Sequence, residues 1–157
     1  MNKKILGTAI GVGLLAAGVF FAWNYFRPTT NERLPLDHLV TINGRSIKVR
    51  VADTEATQVQ GLSGFRTLPH DQGMLFVFNK AAYYAFWMKG MQFPLDVVWL
   101  TKRSNNHYHA VGVVLNVGPE TYPQAFTSPE PVDAFLELPA NTITDAVVGS
   151  DVVLNKK

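Results

Sequence analysis

GMLFVFNKAAYYAFWMKGMQFPLDVVWL, residues 73–100, holds three apolar runs, GMLFVF, YYAFWM and LDVVWL, parted by Asn, Lys, Gly and Pro. Each is of strand length and rich in Val or aromatic side chains, which predicts three strands. Downstream, the polar turn KRSNNH leads into HYHAVGVVL, a fourth run of the same kind. Upstream, LVTI and RSIKVRVA bracket Asn43-Gly44. That dipeptide predicts a type I′ hairpin, whose two central residues must both accept positive φ. Ile47, Val49 and Val51 alternate with Lys48 and Arg50, giving a strand with one buried face. Asp53 or Thr54 caps a short helix through about Leu62, and Gly61 and Gly64 favour its early end. Four prolines between residues 118 and 132 predict a long loop rather than a helix. DAFLEL is a further strand, residues Asn141 to Val148 form one or two helical turns, and Gly149-Ser150-Asp151 turns the chain into a last strand, VVL. The expected fold is mainly β: a compact β-sandwich or barrel-like domain with one or two short helices.

An N-terminal transmembrane helix is expected to precede this domain. Ile5 to Phe26 carries no charge and is bounded by Lys3-Lys4 and Arg27-Pro28. A helix needs about 20 such residues to cross the hydrocarbon core. Trp23, Tyr25 and Phe26 sit at its far end, where amphipathic rings favour the interface. The alternative is a signal peptide cleaved near Ala16-Ala17-Gly18, which would release a secreted domain with an apolar N-terminus. Gly7 and Gly11 form one Gly-x-x-x-Gly pair, a weak signal for helix association. The organisation is then residues 1–4 in the cytoplasm, a transmembrane anchor (or signal peptide) over 5–26, a linker over 27–37 and a β-rich domain over 38–157. Positive charge ahead of the span places the domain outside the cytoplasm, in single-pass attachment to the cell membrane.

Composition narrows the chemistry. The chain has no cysteine, which excludes disulfides, thiol catalysis and thiolate metal sites. Net charge is +2, yet without Lys3, Lys4 and Arg27 eleven basic residues face twelve acidic ones. The domain is near neutral, and no nucleic-acid partner is expected. No serine has a Gly-x-Ser-x-Gly context, and the phosphate-binding Gly-x-x-x-x-Gly-Lys-Ser/Thr loop is absent.

The ordered motifs of the soluble part resemble the domain of unknown function 192 family. Gly61, Leu62 and Arg66 match its first segment, with Ser63 in place of Met and one extra residue before the arginine. Gly73-Met74-Leu75-Phe76, Phe86-Trp87-Met88-Lys89 and Pro94-Leu95-Asp96 follow in order. Leu136-Glu137-Leu138 and Gly149-Ser150-Asp151 complete the match, which runs from about Val40 to Leu154. The resemblance implies a compact β-sandwich, often behind a secretion or anchor segment, and no established activity. One departure matters for any site: the family's Asn-Thr after Trp-Met-Lys becomes Gly90-Met91, removing two polar side chains.

Five residues are expected to border a ligand: Arg66, Trp87, Lys89, Asp96 and Glu137. Trp87, Lys89 and Asp96 read as an aromatic wall, a cation and a carboxylate of one pocket. Equally they read as packing plus a Lys89–Asp96 pair across a hairpin. Glu137, between Leu136 and Leu138, faces away from both. It is a solvated strand position or a partner for Arg66, or it joins Asp96 in a two-carboxylate acid/base site. His107 and His109 share a strand face, but no third ligand lies near them in sequence, so no metal and no cofactor is expected. The aromatic region Tyr83, Tyr84, Phe86, Trp87, Phe93 and Trp99 is core, or a stacking platform for sugar or peptide. No catalytic residue is assigned. The expected function is a membrane-tethered, non-catalytic ligand-binding or accessory module of the cell envelope, with lipid bilayer through residues 5–26 and a small-molecule, glycan or peptide ligand as partners. An enzyme, hydrolase-like or transferase-like, using Asp96, Glu137 and Arg66 is the alternative. A structural envelope module is the third.

Overall fold

A computed structural model describes residues 34–156; the expected membrane segment, Ile5–Phe26, lies outside the described residues. The chain forms β1 (His38–Ile42), β2 (Arg45–Ala52), α1 (Glu55–Gln60), β3 (Gln72–Ala82), β4 (Ala85–Trp87), β5 (Leu95–Ser104), β6 (His107–Val117), β7 (Ala125–Thr127), β8 (Val132–Pro139) and β9 (Asp151–Lys156). Asn43 and Gly44 take φ of 47° and 73° between β1 and β2, as the hairpin requires. Thr54 caps α1: its hydroxyl accepts from the Thr57 amide, and the Thr57 side chain closes the box on the Thr54 backbone. Gly61, at φ 50°, ends the helix slightly before the expected Leu62.

Seven strands close into a barrel in the order β1-β2-β3-β8-β5-β6-β9, while β4 and β7 pair as a separate two-stranded sheet. The sandwich implied by the family resemblance is corrected here, because β9 pairs with both β1 and β6 and leaves no sheet edge. Three register shifts between β5 and β6 supply the bending that closure needs. All barrel pairs are antiparallel except β2–β3. A parallel pair cannot be joined by a tight turn, so α1 and residues 61–71 form the crossover. That crossover covers part of the outside of the barrel.

The strands β3, β5 and β8 are apolar on both faces because they are buried on both. Leu75, Val98, Leu100, Leu136 and Leu138 fill the interior with Val40, Ile42, Ile47 and Val49. Met74, Phe76, Val97, Trp99 and Phe135 point outward into a second core, beneath Leu62, Phe65 and Leu68 of the crossover and Phe86 and Met88 near β4. Each large side chain so enclosed contributes roughly 1.5–3 kcal/mol. Gly73 belongs to the same closeness: a Cβ there would lie 2.8 Å from the Glu137 carbonyl oxygen and 2.6 Å from Leu138 Cδ2.

Three expectations need correction. The proline-rich segment 118–132 is not only loop, since Ala125–Thr127 pairs with β4 between Pro123 and Pro129. Asn141–Val148 contributes only a 3₁₀ turn at Asp145–Val147. The turn KRSNNH shortens to Asn105-Asn106, with Asn106 at φ 61°, because β5 runs on to Ser104.

Candidate ligand cleft on the outer face of the barrel

The outward residues of β8 are Phe135 and Glu137, opposite Phe76 and Met74 on β3 and, for Glu137, Val97 on β5. The cover above them is incomplete. Between α1, residues 61–63, β4 and the barrel wall lies a cleft of about 250 Å³. Gln58, Phe76, Phe78, Tyr84, Phe86, Trp87, Met91, Phe135 and Glu137 are among its lining residues. Ring contacts set its shape: Phe76 stacks on Phe135 at 4.3 Å and Phe78 on Tyr84 at 3.6 Å between centroids.

Most polar groups around this cleft are already engaged. The Gln58 amide donates to the carbonyls of Ala52 and Val77, the latter at 2.7 Å. The Tyr84 hydroxyl donates to the Lys80 carbonyl, and the Ser63 hydroxyl to the Lys89 carbonyl. Glu137 differs. It is only 6% exposed, and among the described residues no hydrogen bond or ion pair reaches its carboxyl group. Burial in apolar surroundings penalises the charged form and pushes its pKa up to about 8. At neutral pH it is therefore mostly a protonated acid, able to donate a hydrogen bond or to ionise when a cation arrives.

Of the five expected site residues, the structure brings Trp87 and Glu137 to one cleft. Trp87 stands at the rim, 53% exposed, with Tyr122 edge-on at 6.4 Å. Lys89 is exposed and places its ammonium 5.8 Å from the centre of the Trp87 ring. Arg66 is exposed on the crossover, and neither it nor Lys89 is among the lining residues. Asp96 lies elsewhere. It pairs with Leu138, so its side chain shares the interior face that Glu137 turns away from. Its Oδ1 accepts from the Asn116 amide at 2.9 Å, and its Oδ2 from Thr142 and Ile143 at 2.9 and 3.2 Å. These bonds tie the 141–143 loop across one end of the barrel, where the Thr142 hydroxyl meets His70 Nδ1 at 3.0 Å. Asp96 and Glu137 thus form no two-carboxylate site, and Lys89 has a ring rather than Asp96 as its neighbour.

Sequence reasoning missed Gln58, Phe76, Phe78, Met91 and Phe135 as lining residues. For Phe76 and Phe78 the lack of alternation in GMLFVF was the signal, because a strand apolar on both faces has something packed outside the barrel. His109 faces Asp151 at 3.5 Å across the β6–β9 ladder, and His107 is exposed. Among the described residues no group of three or more His, Asp or Glu is placed to hold a metal ion.

Fold and cleft together define a small closed β-barrel domain with a capped outer face and a carboxyl group buried beneath the cap. The chain belongs to the domain of unknown function 192 family, described as uncharacterized ACR, whose model matches residues 38–154. Two crystal structures resemble it. A proposed transcription regulator from Sinorhizobium meliloti is 25% identical, with a TM-score of 0.63 over 76% of this chain and 91% of that one. A protein of unknown function from Novosphingobium aromaticivorans is 21% identical, with a TM-score of 0.62 over 76% of this chain and 83% of that one. No curated protein matches the chain.

Proposed function

We propose that the domain is a non-catalytic ligand-binding module, held outside the cytoplasm at a membrane surface by Ile5–Phe26. The observation that carries the binding reading is the aromatic cleft with Glu137 at its floor. Ligand sites are concave, mostly apolar and equipped with a few convergent polar groups, and this cleft has that composition. The tether rests on the uncharged length of residues 5–26 and its flanking charges. Among the described residues no helix is long and apolar enough to cross a membrane. A role in transcription, proposed for the Sinorhizobium protein, finds no support in the near-neutral charge of this domain.

Ligand-observed NMR on the full chain in lipid nanodiscs tests the binding reading with benzyl alcohol and benzamide as probes. Saturation transfer to both is expected. Ala85 lines the cleft from the exposed side of β4, so Ala85→Trp should fill the space and abolish the transfer. Transfer that is absent from the wild type, or undiminished in Ala85→Trp, overturns it.

A further inference from the structure

We propose that the cleft takes an organic ammonium group, with Glu137 as its counter-ion and the surrounding rings as its apolar wall. This deepens the binding reading and rests on it. The geometry begins with charge. Glu137 is more than nine-tenths buried, aims into the cleft, and has no hydrogen-bonding or ionic partner among the described residues. A buried carboxyl group without a partner costs stability in either form: protonated it lacks a hydrogen-bond acceptor, and ionised it lacks the counter-charge that a cationic ligand would supply.

The charged neighbours do not supply it. Beside Glu137, β3 places Met74 and β5 places Val97. One strand further, Arg50 on β2 lies over the Phe65 ring at 5.5 Å and donates to Gln72. Arg66 is exposed on the crossover, and Lys89 stands over the outer ring of the rim. Tyr84 is the one other titratable residue of the lining, and its hydroxyl is committed to Lys80.

The rings favour the same ligand class. Trp87 already attracts an ammonium group, that of Lys89, and aromatic faces are attractive to amines once water is removed. An anion would meet a carboxyl group in apolar surroundings, and a plain hydrocarbon would leave Glu137 unmatched. Size is adequate: a dry cavity of about 150 Å³ takes benzene, and this cleft offers about 250 Å³.

The binding step balances simply. Protonated Glu137 releases its proton to solvent and the ammonium pairs with the resulting carboxylate, while no bond of the ligand breaks. Affinity for a permanent cation must therefore rise with pH while the free acid is protonated, by roughly tenfold per unit.

Titration calorimetry of the full chain in nanodiscs compares benzylammonium with its neutral isostere, benzyl alcohol, between pH 5.5 and 7.5. Benzylammonium should bind at least tenfold tighter than benzyl alcohol at pH 7.5. Buffers of different ionisation enthalpy should report close to one proton released at pH 6.5. Glu137→Gln should remove both the preference and the proton release while still binding benzyl alcohol. Equal binding of the two probes without proton release overturns the ammonium assignment and leaves the binding module standing. Binding of neither probe overturns both.

Discussion

Two acidic residues on neighbouring strands have opposite fates, and alternation explains why. Asp96 faces the barrel interior and is satisfied by three backbone amides from residues 20 to 47 positions away. An asparagine can present only one accepting oxygen, so Asp96→Asn should lower stability by about 2–3 kcal/mol in denaturant unfolding. An unchanged midpoint would remove Asp96 from the loop anchor. Glu137 faces outward and is satisfied by nothing in the described chain. Its pKa of about 8 lies above the ordinary 4.5, so the native state keeps a proton that the unfolded chain releases. Stability is therefore greatest below about pH 4.5 in this respect and falls as pH rises toward 8, by a few kcal/mol at about 1.4 kcal/mol per unit. Urea midpoints across that range should show Glu137→Gln losing less stability with pH than the wild type. Parallel profiles would mean that burial does not shift the group. The outward direction of Glu137 was legible from its two leucine neighbours. Its burial was not, because the cover comes from residues 58–63 and 84–91, distant in the chain.

At the level of elements, local chemistry carried most of the information. Asn43-Gly44 marked its hairpin, and Thr54 its cap, because both are set by the residues themselves. β7 escaped notice because three residues between prolines carry no period of their own and exist only by pairing with β4. Gly73 shows the same limit. Nothing beside it in sequence explains a glycine inside a strand, whereas β8 passing behind it does. The Glu137 carbonyl 2.8 Å from the added methyl is backbone and cannot rotate away. Gly73→Ala should therefore cost about 1–3 kcal/mol through strain between β3 and β8, measured by thermal melting. A neutral substitution would mean that the two strands separate easily.

For the whole molecule, closure was the feature least open to sequence reading. A mainly-β chain with short strands suits a sandwich or a barrel, and the choice was settled by β9 meeting both β1 and β6. On the side formed by β3, β5 and β8, the crossover and the residues near β4 cover the outer wall and leave a gap. The cleft is that gap. The proposed tether gives a cellular prediction: protease added to intact spheroplasts should digest the domain, and protection until lysis would reverse the orientation.

The buried acid at the floor of the cleft can be followed directly. Carboxyl-detected ¹³C NMR of the full chain in nanodiscs, with Glu137→Gln to assign the signal, gives the titration midpoint of Glu137 itself. A midpoint near 8, displaced downward by saturating benzylammonium, is the expected result. A midpoint near 4.5 with no response to benzylammonium would mean that Glu137 is an ordinary solvated carboxylate and that the cleft has no polar anchor.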